Sequence, residues 1–182
     1  MIISISGTIA SGKTTIGKKI SEKFNFSYLS VGDIMRNMAT NRKVSLTEFS
    51  KIAENDFEID KKIDLIQKEN VKKLIEEKKS CVVDGRISWH ILKEFNVNLK
   101  IFLNAPLEIR AKRFSERENC SYEKAIEEIK IRESSEIKRF KEIYNIDVND
   151  INNYDIYLNV EKWDIEGVSE ILNKAIENLI KK

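Results

Sequence analysis

Apolar positions along this chain switch repeatedly between a period of two and a period near 3.6. Ile2, Ile3 and Ile5 form a short β-branched run that stops at Gly7, and from Lys13 the spacing becomes Ile16, Ile20 and Phe24, one face of a helix. SYLS at 27 to 30 reads as a second strand, and Asp33, Ile34, Met35 and Met38 open a second helix. From about Ser45 to Lys79 strand signals vanish. Leu46, Phe49, Ile52 and Ala53 predict one amphipathic helix, and Ile59, Ile63, Ile66, Val71 and Leu74 a longer one, so this stretch is a helical insertion. Strand pattern returns at Cys81, Val82 and Val83, ending in Asp84 and Gly85, and again at Leu99, Ile101, Phe102 and Leu103. Pro106 fits the first turn of a helix, and the charged stretch to about Tyr144 reads as two helices broken near Asn119, Cys120 and Ser121, with Ser121 as N-cap. Ile156, Tyr157 and Leu158 then suggest a last strand, and Val168, Ile171, Leu172, Ala175 and Leu179 a closing helix.

Strands alternating with helices predict an α/β fold with right-handed crossovers and a parallel sheet of about five strands, ligands being expected at the carboxyl ends of the strands. The 182 residues include one proline and six glycines, so no Pro/Gly-rich linker divides the chain and a single domain over 1–182 is expected. With 41% hydrophobic residues it can bury a core. The 32 Lys and Arg nearly balance 30 Asp and Glu, leaving a net charge of +2, which argues against a nucleic-acid binder or an acidic tail. Two unclustered cysteines and one histidine exclude an ordinary zinc site and fit a reduced, cytoplasmic setting. No apolar run approaches the length of a membrane span, and the N-terminus lacks the form of a secretion signal.

Residues 7 to 14, Gly-Thr-Ile-Ala-Ser-Gly-Lys-Thr, match GxxxxGK[ST] without a mismatch, between an apolar strand and an amphipathic helix as phosphate binding requires. The glycines let successive N–H groups turn inward, the helix adds its positive end, Lys13 can reach terminal phosphate oxygens, and Thr14 can ligate Mg²⁺. Asp84 ends the third strand, which places its carboxylate beside the loop near the Mg²⁺; a turn or helix-cap role before Gly85 is the competing explanation.

Arg36 follows the turn Ser30, Val31, Gly32, Asp33, and Arg86 follows Asp84 and Gly85, so both stand where a phosphate could be gripped bidentately. Arg110, Arg113 and Arg117 share a helix face, as do Arg132 and Arg139 with Glu136 between them. Each set could be an ordinary solvated face of Glu and Arg pairs. Beside a phosphate loop it could equally neutralise two anions brought together for phosphoryl transfer. No Ser/His/Asp set or carboxylate dyad stands out, and none is needed when the acceptor is an ionised phosphate. His90 is read as structural, Cys81 as a buried strand residue, Cys120 as a loop thiol, and Trp89 and Trp163 as packing anchors.

These motifs resemble those of the nucleoside monophosphate kinases, most closely the archaeal-type cytidylate kinases. The resemblance rests on GTIASGKT at 7 to 14, SVGDIMR at 30 to 36, VVDGR at 82 to 86, the RxxRxxxR set at 110 to 117, RESSEIKRFKEIY at 132 to 144 and YDIYLNVEKWD at 154 to 164, and covers nearly the whole chain. It implies that Gly7, Thr8, Ile9, Ala10, Ser11, Gly12, Lys13, Thr14 and Thr15 hold ATP, with Arg113 and Arg117 covering its phosphates. It implies further that Thr14 and Asp84 position Mg²⁺, and that Ser30, Asp33, Arg36 and Arg86 meet the monophosphate. Arg132, Glu136 and Arg139 are expected on the acceptor's phosphate and sugar; Lys13, Arg86, Arg132 and Arg139 are the expected catalytic cations. Residues 37–79 would form the monophosphate-binding lobe and about 113–139 the lid, which close to exclude water.

The implied reaction is Mg²⁺-dependent transfer of the ATP γ-phosphoryl group to CMP or dCMP by a cytoplasmic, monomeric enzyme of pyrimidine nucleotide metabolism. Adenylate kinases carry Gly-Phe-Pro-Arg after the third strand; DGRIS stands there, and Pro106 is the only proline. Bacterial cytidylate kinases place an acid directly after DGR to meet the cytosine amino group; Ile87 stands there, so that contact must come from elsewhere, the 37–79 lobe being one source. Competing expectations are a kinase for AMP, UMP or a small alcohol such as shikimate, with Asp33 as base, and a nucleotide-dependent binding or switch protein.

Overall fold

A computed structural model describes residues 1–181. Five strands, β1 (Ile2–Gly7), β2 (Ser27–Ser30), β3 (Cys81–Asp84), β4 (Leu99–Asn104) and β5 (Ile156–Asn159), form one sheet in the order β2-β3-β1-β4-β5. Every pairing is parallel, with Ile5 beside Asp84 and Ile101, and Ser30 also beside Asp84. All carboxyl ends therefore meet at one edge, where Gly7, Ser30, Asp84, Asn104 and Asn159 terminate their strands. The strand order reverses about β1, so the crevice between β1 and its neighbours is where such a sheet binds ligands.

Helices α1 (Lys13–Phe24), α2 (Val31–Asn41), α3 (Leu46–Ala53), α4 (Glu58–Glu76), α5 (Ser88–Ile91), α6 (Leu107–Glu118), α7 (Tyr122–Tyr144) and α8 (Ile165–Ile180) connect and cover the strands. The core on one side joins Ile3, Ile5 and Ile101 to Ile16 and Ile20 of α1 and Leu172 and Ile176 of α8, all below 4% exposed. Ile2, Cys81 and Val83 face the other way, onto Val71 of α4 and Leu92. Alternate residues of β1 thus feed opposite cores, as strand geometry demands.

The expected helical insertion is present. Ala39, Phe49, Ala53, Ile59 and Ile63 of α2, α3 and α4 make a separate small core beside the sheet. Ser45 and Glu48 cap α3 reciprocally, which fixes its start. Ser121 caps α7 by accepting from the Lys124 N–H, and the break before it falls at Asn119, whose φ of 51° ends α6. Pro106 departs from expectation by one place: it is the N-cap of α6, with ψ of 150°, and the helix begins at Leu107.

α3 packs directly on α7: Ser135 donates to the Ser50 carbonyl at 3.0 Å, and Thr47 donates to Glu128 at 3.2 Å. The 37–79 segment and the long charged helix are therefore in contact.

Candidate active site

Along the carboxyl edge of the sheet runs a cleft of about 1120 Å³. Its centre is the loop between β1 and α1. Gly7 (φ 151°), Ala10 (φ 61°) and Gly12 (φ 102°) turn the backbone there, and Gly12 caps α1 without a side chain, leaving the first N–H groups of the helix facing the cleft. Lys13 Nζ donates to the carbonyls of Gly7 (3.0 Å) and Thr8 (2.8 Å), which holds the ammonium across the loop.

Thr14 donates its hydroxyl to Asp84 Oδ2 at 2.8 Å, and Tyr28 donates to the same oxygen at 2.8 Å. Burial and the Asp84 carboxylate push the Tyr28 phenol well above its ordinary range, so it remains a donor. Thr14 and Asp84 are hard oxygen ligands in contact, a donor set that fits Mg²⁺ completed by waters and phosphate oxygens. Among the described residues no group of three or more His, Cys, Asp or Glu gathers to make a protein-only metal cage.

The arginines divide by what they hold. Arg86 donates through Nη1 to the Gly7 carbonyl, and its Nε lies 2.6 Å from Glu136 Oε2, a pair with both side chains at most 10% exposed. Arg110 is tied to the loop, donating to the carbonyls of Ala105 (2.9 Å) and Ile9 (3.1 Å) and to Glu133 (2.9 Å). Glu133 also accepts from the Ile9 N–H at 3.1 Å, clamping α7 to the loop. Arg113 donates to the Ser11 carbonyl at 3.3 Å, and Arg117 lies over the Phe114 ring and pairs with Glu118. Arg139 is fully buried, with Nη1 donating to both oxygens of Asp60 at 3.0 Å. Arg132 forms no ion pair within 4 Å among the described residues, and its Nε is buried without a partner. Burial, followed by the charges of Arg117 and Arg36, pushes its guanidinium below the ordinary value. A cation so placed is stabilised by an incoming anion.

Of the residues expected at the site, Ile9 to Thr15, Arg36, Asp84, Arg86, Arg113, Arg117, Arg132, Glu136 and Arg139 line this one cleft. Gly7 and Thr8 stand behind the loop, with Thr8 donating to Asn104 at 3.2 Å. Ser30 caps α2 by accepting from the Asp33 N–H, and Asp33 holds Arg36 at 2.5 Å at the mouth. Tyr28, Glu133 and Asp60 also belong to the site, and no local motif marks them, because each is joined to its partner across a long stretch of chain. Trp163 is a correction: it is 47% exposed and lines the cleft with Asp164 and Ile165, so it is not a packing anchor.

Desolvation, opposed by Asp84 and Glu136 and aided by Arg86 and Arg132, lowers the Lys13 ammonium to about 8. A triphosphate entering the loop favours the charged form. The Lys13 contribution to ATP affinity is therefore expected to be level below pH 8 and to weaken as pH rises through it, because binding then requires proton uptake. Calorimetric titrations in buffers of different ionisation enthalpy at pH 8.5 should show that uptake, and its absence would remove Lys13 from the phosphate contact.

The sequence pattern of the family described as "Cytidylate kinase-like family" matches residues 2–162. Cytidylate kinase of Methanocaldococcus jannaschii is 45% identical over 183 residues, covering 100% of both chains, and that of Pyrococcus horikoshii is 40% identical over 98% of this chain and 90% of its own. An uncharacterised Eubacterium ventriosum protein superposes with a TM-score of 0.71 at 21% identity, covering 97% of this chain and 98% of its own. The shikimate kinase of Bacteroides thetaiotaomicron gives 0.58 at 14% identity over the same shares. These two show the fold alone.

Proposed function

This chain belongs to the cytidylate kinase-like family, and from that premise we propose that it transfers the γ-phosphoryl group of ATP to CMP or dCMP, giving ADP and CDP or dCDP. It is an ATP-dependent phosphotransferase with the P-loop kinase fold. The observation that carries the reading is a single cleft in which Lys13, Arg86 and Arg132 face the space between the loop and the helical lobe. Three cations there can neutralise two phosphates brought together.

In this reading the loop N–H groups and Lys13 hold the β- and γ-phosphates, and Arg113 and Arg117 cover them from α6. The exposed ring of Trp163 borders the donor's end of the cleft. Arg36 and Arg132 grip the acceptor phosphate, and Arg86, fixed by Gly7 and Glu136, bridges donor and acceptor. An acceptor phosphate oxygen attacks the γ-phosphorus as the bond to the β,γ-bridging oxygen breaks, and ADP carries the electron pair away. That oxygen is already ionised, so no general base takes part. Thr14 and Asp84 would hold Mg²⁺ through their oxygens, and the ion would supply positive charge to the phosphate oxygens.

Residues 37–79 serve as the acceptor lobe and about 113–139 as the lid, the contact of α3 with α7 coupling them. In the same proposal the enzyme acts as a monomer in the cytoplasm, and the near-neutral net charge of +2 supports small nucleotides rather than nucleic acid as its partners. No described helix is long and apolar enough to cross a membrane. The alcohol-kinase alternative loses its base, because Asp33 is held by Arg36 and its side chain is 54% exposed, outside the cleft.

A coupled assay with Mg-ATP and a panel of CMP, dCMP, UMP, AMP and shikimate tests the reading. Rapid ADP release with CMP or dCMP is expected. Turnover of AMP, UMP or shikimate with none of CMP would overturn it.

A further inference from the structure

The acceptor end of the cleft has the surroundings a pyrimidine ring needs. Val31, Met35, Ile63, Ile87 and Phe140 supply apolar walls there. Polar groups occur in the same space at spacings i, i+4 and i+7 on α4: Asp60, Asp64 and Gln67 all line the cleft. Asp60 and Gln67 are each 4% exposed, on a helix face otherwise buried through Ile59, Ile63 and Val71. Burying a carboxylate and an amide in an apolar stripe is costly unless they are used.

Their present partners leave capacity over. Asp60 accepts both its bonds from one nitrogen of Arg139, whereas a carboxylate has about four acceptor sites. Arg139 is 0% exposed, lines the cleft, and keeps a buried Nε with no partner. Gln67 Oε1 accepts from the Ser88 hydroxyl at 2.8 Å, which orients the amide and leaves its NH₂ to donate.

We propose that Asp60, Arg139 and Gln67 read the base of the acceptor nucleotide. Asp60 accepts from the exocyclic amino group of cytosine, while Arg139 and the Gln67 amide donate to ring N3 and the 2-carbonyl. Cytosine presents that order of one donor and two acceptors along its edge. Uracil reverses it at two places, so its 4-carbonyl would meet the Asp60 carboxylate and its N3–H the guanidinium, both repulsive. Ile87, standing where a base-reading acid would be expected after Asp84-Gly85-Arg86, becomes a ring wall, and its lost acid is supplied from α4. Arg139 is then a base contact held in place by Asp60, and the acceptor phosphate is left to Arg36, Arg86 and Arg132.

The inference rests on the assignment of CMP as acceptor, and the wild-type enzyme separates the two. If wild type does not turn over CMP, the substrate assignment fails; if it turns over CMP and UMP with equal kcat/KM, the assignment stands and the base-reading inference fails. If wild type prefers CMP, the decisive measurement is the ratio of kcat/KM for CMP to that for UMP in Asp60→Asn, whose amide can donate to a 4-carbonyl. That ratio is expected to fall roughly tenfold to hundredfold, through the acceptor KM, with the KM for ATP unchanged. Asp60→Asn loosens a buried ion pair, so its melting curve is recorded alongside. Gln67→Leu leaves that pair intact, and its ratio is expected to fall about tenfold. An unchanged CMP to UMP ratio in the folded variants would overturn the proposal.

Discussion

Lys13→Ala is expected to lower kcat by about 10³-fold or more while the protein still folds, a loss of roughly 4 kcal/mol of transition-state stabilisation. Its ammonium lies against the carbonyls of Gly7 and Thr8, so it spans the mouth of the loop where the terminal phosphates must sit. Charge shifts toward the β,γ-bridging oxygen as the bond breaks, and a cation held there contributes more to the transition state than to bound ATP. The fall should therefore appear mainly in kcat. Stability is expected to change little. Two charge-assisted hydrogen bonds are lost, about 1.5 to 3 kcal/mol each, but so is the desolvation cost that lowers the ammonium to about 8. Steady-state kinetics with CMP, paired with a thermal melt, checks both parts; activity within tenfold of wild type would remove Lys13 from the chemistry.

That loop was legible because its information is local. Eight consecutive residues fix two glycines, the lysine and the threonine, and the strand before and helix after are set by Ile2, Ile3 and Ile5 and by Ile16 and Ile20. The boundary of α6 and α7 was legible for the same reason, since Asn119 accepts positive φ and Ser121 caps its own helix. What escaped depends on elements meeting across the fold. Arg139 and Asp60 are 79 residues apart, Glu133 and Ile9 124 apart, and Tyr28 and Asp84 56 apart. Periodicity assigns Arg139 to a helix face, but only the seating of α4 against α7 shows that the face is buried and its charge matched. A partial signal existed in α4, where Asp60 and Gln67 lie seven apart beside Ile63 on the stripe marked by Ile59 and Val71. Polar residues at core spacing are costly and point to a site. Trp163 gave no such signal, because one aromatic after a strand reads as a packing anchor and only its exposure beside the cleft shows otherwise.

Gly7→Ala is expected to destabilise the protein by roughly 3 to 5 kcal/mol, the sum of backbone strain and overpacking. Gly7 has φ of 151°, and a Cβ there would stand 2.1 Å from the Leu103 carbonyl oxygen and 2.9 Å from Ser11 Oγ. The first of these is backbone in the middle of the sheet, where β4 pairs with β1 through Gly7 and Leu103, so it cannot swing aside. Relief requires parting β1 from β4 at the very end that carries the loop. Lys13 and Arg86 both donate to the Gly7 carbonyl, so the same displacement moves two cations of the cleft. Activity should fall together with stability. Gly12→Ala is the informative contrast: nothing lies within 4 Å of its Cβ position, and only its φ of 102° opposes a side chain. Its cost is expected near the strain alone, about 1 to 3 kcal/mol. At about 2 to 4 °C per kcal/mol for a chain of this size, the melting temperature should drop by roughly 6 to 20 °C for Gly7→Ala, and by less for Gly12→Ala. Equal melting temperatures for the two variants would show that β1 and β4 yield at Gly7, and that the close approach to Leu103 does not fix the loop.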